Sequence, residues 1–276
     1  MTVGCKQLSV INCTPNIGHI HLIDITTNDL SVVLDTFNQQ LVSITTTIAC
    51  EILTYQYRCF IGKNIFNNKN EKLEKIHIYS KPFHYRYHLN PFGSDQCLYI
   101  RYLTISSVKC INDLHLIFDH FPSLKYLNIK VHKEYTGHIS PSQFQSYDYT
   151  LLKYKLPFLT EFILATSDNI EYDKLDNIIK NLIHLKSLSF EHDSRQIIYR
   201  NFSDNINGGK LEQTLSHLKY LEKLNFIIKI THDHIKSNYN ILSDTFDSSY
   251  WKKWGNVKCF RKTDEWRKRI ILVVCK

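Results

Sequence analysis

The sequence has little of what usually marks a membrane or an adaptable binding groove. In 276 residues there are eight glycines, six prolines and one methionine. So few backbone breakers argue against a many-turned β-sandwich or a low-complexity chain. A single methionine argues against a Met-rich adaptable groove. The eight cysteines, at 5, 13, 50, 59, 97, 110, 259 and 275, include no C-x-x-C pair and no small stapled framework. No run approaches the ~20 apolar residues that cross a bilayer. The opening stretch MTVGCKQLSVINCTPNIGH lacks the charged lead and apolar core of a signal peptide. The expectation is a reduced, soluble, intracellular protein, cytoplasmic or nuclear. The sequons at Asn12 and Asn201 then read as chance occurrences.

Catalytic signatures are also missing. There is no G-x-S-x-G and no cysteine in a convincing His/Asn context. Asn207-Gly208-Gly209-Lys210 resembles a fragment of a phosphate loop without the G-x4-G-K-S/T spacing, and reads as a turn and helix start. His84-Tyr-Arg-Tyr-His88 has H-x3-H spacing. It lacks the Glu that follows the first His in a zinc helix and stands between Pro82 and Pro91. His232-Asp-His234 alternates like a strand end and lacks a third and fourth ligand. The expectation is a protein that is not an enzyme, with no catalytic residue, cofactor or metal.

A repeat is present. In Leu211–Ile230, LEQTLSHLKYLEKLNFIIKI, the residues Leu211, Leu215 and Leu218 form a helical stripe, and Leu221-x-x-Leu224-x-Phe226 then alternates as a strand. Similar strand cores are Leu73-x-x-Ile76-x-Ile78, Ile100-x-x-Leu103-x-Ile105, Leu124-x-x-Leu127-x-Ile129, Leu159-x-x-Phe162-x-Leu164 and Leu185-x-x-Leu188-x-Phe190. Their central positions are 27, 24, 35, 26 and 36 residues apart. Three intervals fit the usual leucine-rich-repeat period of roughly 20–29 residues. The two long ones contain insertions at Lys133–Tyr149 and Asp193–Gly209. Helical stretches at Ile111–Phe121, Tyr172–Leu182 and Gly209–Leu218 precede the third, fifth and sixth cores. Pro122 and Pro157 end the elements before two of the cores.

Before Leu73 the pattern is weaker. Leu8-x-x-Ile11, Ile20-x-x-Ile23-x-Ile25 and Leu41-x-x-Ile44-x-Thr46-x-Ile48 look like strands, and 28–39 is helical in spacing, with a loop at 62–72. The fold expected is α/β, an irregular leucine-rich-repeat solenoid with parallel strands on the concave face and helices outside. Residues 1–72 read as irregular N-terminal repeats or a cap, 73–249 as the solenoid and 250–276 as a basic, Trp-rich C-terminal β cap. Strands at Val257–Phe260 and Arg269–Cys275 would pair as a hairpin across a charged connection, Arg261–Lys268.

Net charge is +8, and it is uneven: Trp251–Lys276 holds nine Lys/Arg against two Asp/Glu, while the preceding 250 residues hold 25 against 24. Two surfaces follow as candidate sites. On the strands, the residues flanking each central apolar position would face a protein partner. They are Lys75, His77, Tyr79, Tyr102, Thr104, Ser106, Tyr126, Asn128, Lys130, Glu161, Ile163, Ser187, Ser189, Glu191, Lys223 and Asn225. The bland alternative is a solvated face without a ligand. In the tail, Trp251, Lys252, Lys253, Trp254, Lys258, Arg261, Lys262, Trp266, Arg267, Lys268 and Arg269 interleave rings with cations, as single-strand nucleic-acid surfaces do. The alternative there is that the rings pack inward as a cap, with the charges serving solubility.

Ile206-Asn207-Gly208 leading to Glu212, Leu218-x-x-Leu221-x-Lys223-Leu224-x-Phe226, and Tyr250-Trp251-x-x-Trp254-x-x-Val257-x-Cys259 ending in Arg269-Ile-Ile-Leu272 resemble a known family. The chain is similar to intracellular F-box/leucine-rich-repeat-like proteins of invertebrates, over roughly residues 98–276. The resemblance implies non-enzymatic protein recognition, in its specific form substrate recruitment for a ubiquitin ligase. No Leu-Pro-opened helical F-box module is visible, so the chain reads as the substrate-receptor half. An adaptor partner would then need an F-box on a longer chain.

Overall fold

The computed structural model describes residues 2–4, 18–25, 27–37, 40–48, 71–80, 96–108, 111–131, 147–167, 172–194, 208–231, 245–255, 257–264 and 267–275. They fall into two compact units, Met1–Glu134 and Tyr135–Lys276, each built from helices and largely parallel strands.

The first unit carries β1 (Thr2–Gly4), β2 (His19–Ile25), β3 (Ser43–Ile48), β4 (Lys75–Ser80), β5 (Tyr102–Val108) and β6 (Tyr126–Val131). Each pairs in parallel with the next in chain order. Helix α1 (Thr27–Phe37) joins β2 to β3, and α2 (Leu114–His120) lies between β5 and β6. Parallel crossovers are right-handed, and here every step moves to the next strand in the same direction. Both helices therefore fall on one side of the sheet. Parallel sheets are ordinarily covered on both faces; among the described residues of this unit, no helix covers the other face.

The strands begin where the sequence pattern says they should, for a repeated reason. The first apolar residue of each core sits two positions before its strand, and Leu73, Ile100, Leu124, Leu159, Leu185 and Leu221 are all buried. Four of them close the same turn. The backbone N–H groups of Leu124, Leu159, Leu185 and Leu221 donate to the carbonyls of Phe121, Leu156, Leu182 and Leu218, at 3.1–3.3 Å. A second device recurs one residue on. The Val42 carbonyl accepts from Glu74 and Lys75, that of Glu74 from Arg101 and Tyr102, and that of Arg101 from Lys125 and Tyr126. In the second unit the Thr160 carbonyl accepts from Lys186 and Ser187, and that of Lys186 from Glu222 and Lys223. One carbonyl with two lone pairs thus fixes the entry of the next strand. The Gly18 carbonyl does the same for Val42 and Ser43, so β2 and β3 are built like the later strands although their sequences are less regular.

The second unit carries β7 (Glu161–Ser167), β8 (Ser187–Ser194) and β9 (Lys223–Thr231), again parallel and in chain order. Its helices are α3 (Leu152–Lys155), α4 (Tyr172–Asn181) and α5 (Gly208–Ser216). They bury Leu175, Ile178 and Ile179 from α4 and Leu211 and Leu215 from α5. One polar chain ties α4 to α5. Thr214 Oγ1 lies 3.0 Å from Tyr172 Oη and donates to Asp176 Oδ1, whose other oxygen takes Lys180 Nζ at 3.1 Å. Thr214 has one hydroxyl proton; with that proton on Asp176, Tyr172 is the donor to Thr214. Burial is the largest cause pushing the Tyr172 phenol up to about 12, which keeps it protonated as that donor.

In the tail, α6 (Ser249–Lys253) is followed by β10 (Lys258–Asp264) and β11 (Arg267–Cys275). The two strands form an antiparallel hairpin, and β11 also pairs antiparallel with β9. Most of the expected charged connection, Arg261–Lys268, is therefore strand. The run of charges hid the extended backbone, which the charged residues continue on both strands. Trp251, 1% exposed, anchors the segment to α5: its Nε1 donates to the Gly208 carbonyl at 3.1 Å. The Gly208 N–H in turn donates to Thr245 Oγ1 at 2.8 Å, and Ser248 Oγ donates to Glu212 Oε2 at 2.6 Å.

Candidate functional site

Parallel pairing in register converts separate strand positions into cross-strand rows. On the first unit, Ser43, Lys75, Tyr102 and Tyr126 are consecutive partners, and the next row is Thr45, His77, Thr104 and Asn128. His19 and His21 continue the two rows on β2. The intervening positions Ile44, Ile76, Leu103 and Leu127 are fully buried, because alternate side chains leave a strand on opposite faces. Period two thus separates a leucine face from a face of hydroxyls, amides, imidazoles and rings.

The rows are in contact along the sheet. Lys75 Nζ stands 5.0 Å from the centre of the Tyr102 ring, within cation–π range. The Tyr102 and Tyr126 centroids are 6.4 Å apart and tilted by 36°, and Asn128 Nδ2 donates to Tyr126 Oη at 3.3 Å. His77 Nδ1 lies 2.9 Å from Thr104 Oγ1. Burial, and secondarily the Lys75 ammonium, lower the His77 pKa, which favours a neutral ring in that contact. Thr104 is itself buried, so it positions His77 and is not a surface contact. Tyr79 is 41% exposed and Lys130 is exposed; Lys75, Tyr102, Ser106, Tyr126 and Asn128 are half-buried.

On the second unit the corresponding rows are Glu161, Ser187 and Lys223, then Ile163, Ser189 and Asn225. Asn225 Nδ2 donates to Ser189 Oγ at 3.1 Å. Glu191, one row further, forms an ion pair with Lys229. This face therefore carries carboxylates as well as lysines, and one of each is paired.

His192 extends the alternation of Leu188 and Phe190 to a third inward position, and simple continuation of period two would have placed it there. It is fully buried, stacked against Phe190 at 6.4 Å between ring centres, with Nδ1 2.9 Å from Thr166 Oγ1. Burial is the largest cause lowering its pKa, to about 4. Its surroundings are structural packing.

The tail separates into two parts. Trp251 and Trp254 are 1% and 3% exposed, so their rings are not available for stacking on bases. The basic residues lie largely in the hairpin, where Lys262 opposes Arg269 and Thr263 opposes Lys268. Among the described residues no three His, Cys, Asp or Glu are grouped to hold a metal ion. Cys97 is free and buried, and burial is the main cause raising its thiol pKa, away from a reactive thiolate. No described helix is long and apolar enough to cross a membrane. Leu8-x-x-Ile11, Asn12, His84 and His88, Asn201, His232 and His234, and Trp266 lie outside the described residues. The sequence matches no protein-family model and no curated protein.

Proposed function

We propose that this chain is an irregular leucine-rich-repeat protein that recognises a protein partner, without catalysis, on its open strand face. The observation that carries this reading is the ladder Lys75–Tyr102–Tyr126, a lysine and two tyrosines held in register on a face that α1 and α2 do not cover. Tyrosines on rigid strands offer large contact area at small entropic cost, and their hydroxyls add directional hydrogen bonds. The recurrent turns and shared carbonyls support a repeat architecture of the leucine-rich type. Substrate recruitment for a ubiquitin ligase is the specific form of this role that the F-box/leucine-rich-repeat resemblance suggests. A nucleic-acid role would have to rest on the cations of the hairpin without the buried tryptophans.

The test is site-specific photocrosslinking in cells, with p-benzoylphenylalanine placed at Tyr79 or Tyr102 and, as control, at Asp35 on α1. The proposal expects discrete protein adducts from the two strand positions that survive nuclease treatment and are missing from the Asp35 control. Adducts of equal yield at all three positions, or adducts that disappear with nuclease, would refute it. A ubiquitin-ligase adaptor co-purifying with the adduct would support the recruitment form.

A further inference from the structure

We propose that the open face of the first unit takes an extended acidic polypeptide segment, a claim that rests on reading that face as a protein interface. The charge distribution carries it. Lys75 and Lys130 point outward among imidazoles and hydroxyls, and no described side chain on this face is a carboxylate. Glu74, at the rim, is 3.8 Å from Arg101 and so already has a cation beside it. Lys75 is held against the Tyr102 ring at 5.0 Å, an arrangement that keeps the ammonium in place without neutralising it. Ammonium, imidazole and hydroxyl groups all donate hydrogen bonds, and a carboxylate accepts up to four.

The second unit makes the contrast. Its face carries Glu161 and Glu191 as well as Lys223 and Lys229, with Ser187 between Glu161 and Lys223, and Lys229 is paired with Glu191. Among the described residues, the first unit's face carries lysines without a carboxylate, whereas the second unit's face carries both.

The geometry favours a polypeptide over a nucleic acid. Five strands from β2 to β6 span four gaps of about 4.8 Å, or about 19 Å. About six extended residues cover that width at ~3.3 Å each. Two lysines across it match a segment with a few carboxylates. A duplex or single strand places a phosphate at every nucleotide and is held by a dense cationic groove.

The experiment is fluorescence anisotropy on the full chain with labelled peptides of about eight residues, alternating Glu-Ser, Gln-Ser or Lys-Ser, and an oligonucleotide of similar length. Because the chain carries net charge +8, a Lys75→Glu/Lys130→Glu variant is compared with Lys186→Glu/Lys219→Glu, which changes net charge equally at exposed positions of the second unit. The expected result is preferential binding of the Glu-Ser peptide, weakened about tenfold by the first pair of changes and little by the second. Circular dichroism matching the native chain shows that each variant is folded. Equal loss in both variants would reduce the effect to net charge and overturn the proposal. Tighter oligonucleotide binding, lost in the Lys75/Lys130 variant, would overturn it in favour of nucleic acid. Neutral or basic partners crosslinked at Tyr102 would overturn the acidic assignment alone and leave the face as an interface.

Discussion

Gly208→Ala should destabilise the second unit, against what local propensity predicts. Alanine is favoured over glycine by about 1 kcal/mol in a helix interior, and Gly208, as the first residue of α5, would gain part of that. At Gly208, however, the new Cβ would stand 1.9 Å from the Thr245 carbonyl oxygen, 2.5 Å from its carbon and 2.9 Å from the Phe246 nitrogen. All three are backbone atoms, so no rotamer change relieves the clash. The segment must move away from α5, and the hydrogen bonds from Gly208 N–H to Thr245 and from Trp251 Nε1 to the Gly208 carbonyl go with it. Each is worth about 1 kcal/mol net. Trp251 also packs against Phe246 and Tyr250, at 4.9 and 5.4 Å between ring centres. Complete truncation of a buried Trp costs about 3–5 kcal/mol, and a shifted segment forfeits part of that. The net expectation is a loss of about 2–4 kcal/mol. Urea unfolding followed by Trp251 fluorescence, in a Trp254→Phe/Trp266→Phe background, measures it. The variant should show a lower midpoint and a red-shifted native emission. A midpoint equal to or above that of the parent, with unchanged emission, would refute the argument that the close approach at Gly208 holds the tail.

Two further predictions concern the core of the same unit. His192 is held neutral with a folded pKa near 4, below the 6.5 of an unfolded histidine; stability is therefore full above pH 6.5 and falls as pH drops towards 4, by about 3 kcal/mol in all, a slope that urea midpoints across pH should show and that His192→Leu should flatten. Leu188→Ala should cost about 2–5 kcal/mol in denaturant unfolding, whereas Ser189→Ala, one residue along on the open face, should stay within about 0.5 kcal/mol; similar losses at both positions would contradict the assigned faces.

The repeated strand cores were readable because they rest on local physics. Period two with a leading apolar residue two positions earlier located β4 to β9, and helical stripes located α2, α4 and α5. β2, α1 and β3 were also visible, in a stretch readable either as irregular repeats or as a cap; their strand entries are built like the later ones. That likeness lies in backbone carbonyls such as those of Gly18 and Val42, which leave no mark on side-chain identity. The hairpin ran longer than its apolar pattern because charged residues continue it. Gly208 read as an ordinary helix start, since the carbonyl that excludes a Cβ there comes from Thr245, distant in sequence.

For the candidate site, the sequence alone determined which residues alternate with the leucines, and so which ones leave the core face. Side-chain parity along a strand is a local property. Tertiary structure decided their company. Strand register set Lys75 beside Tyr102 and Tyr102 beside Tyr126, buried Thr104 beneath His77, and paired Glu191 with Lys229 while leaving Lys75 with an aromatic ring. It also turned Trp251 and Trp254 inward, where a linear reading shows only rings among cations. Local pattern fixes the face a side chain takes; only pairing between distant segments fixes its neighbours, and charge and hydrogen bonding depend on neighbours.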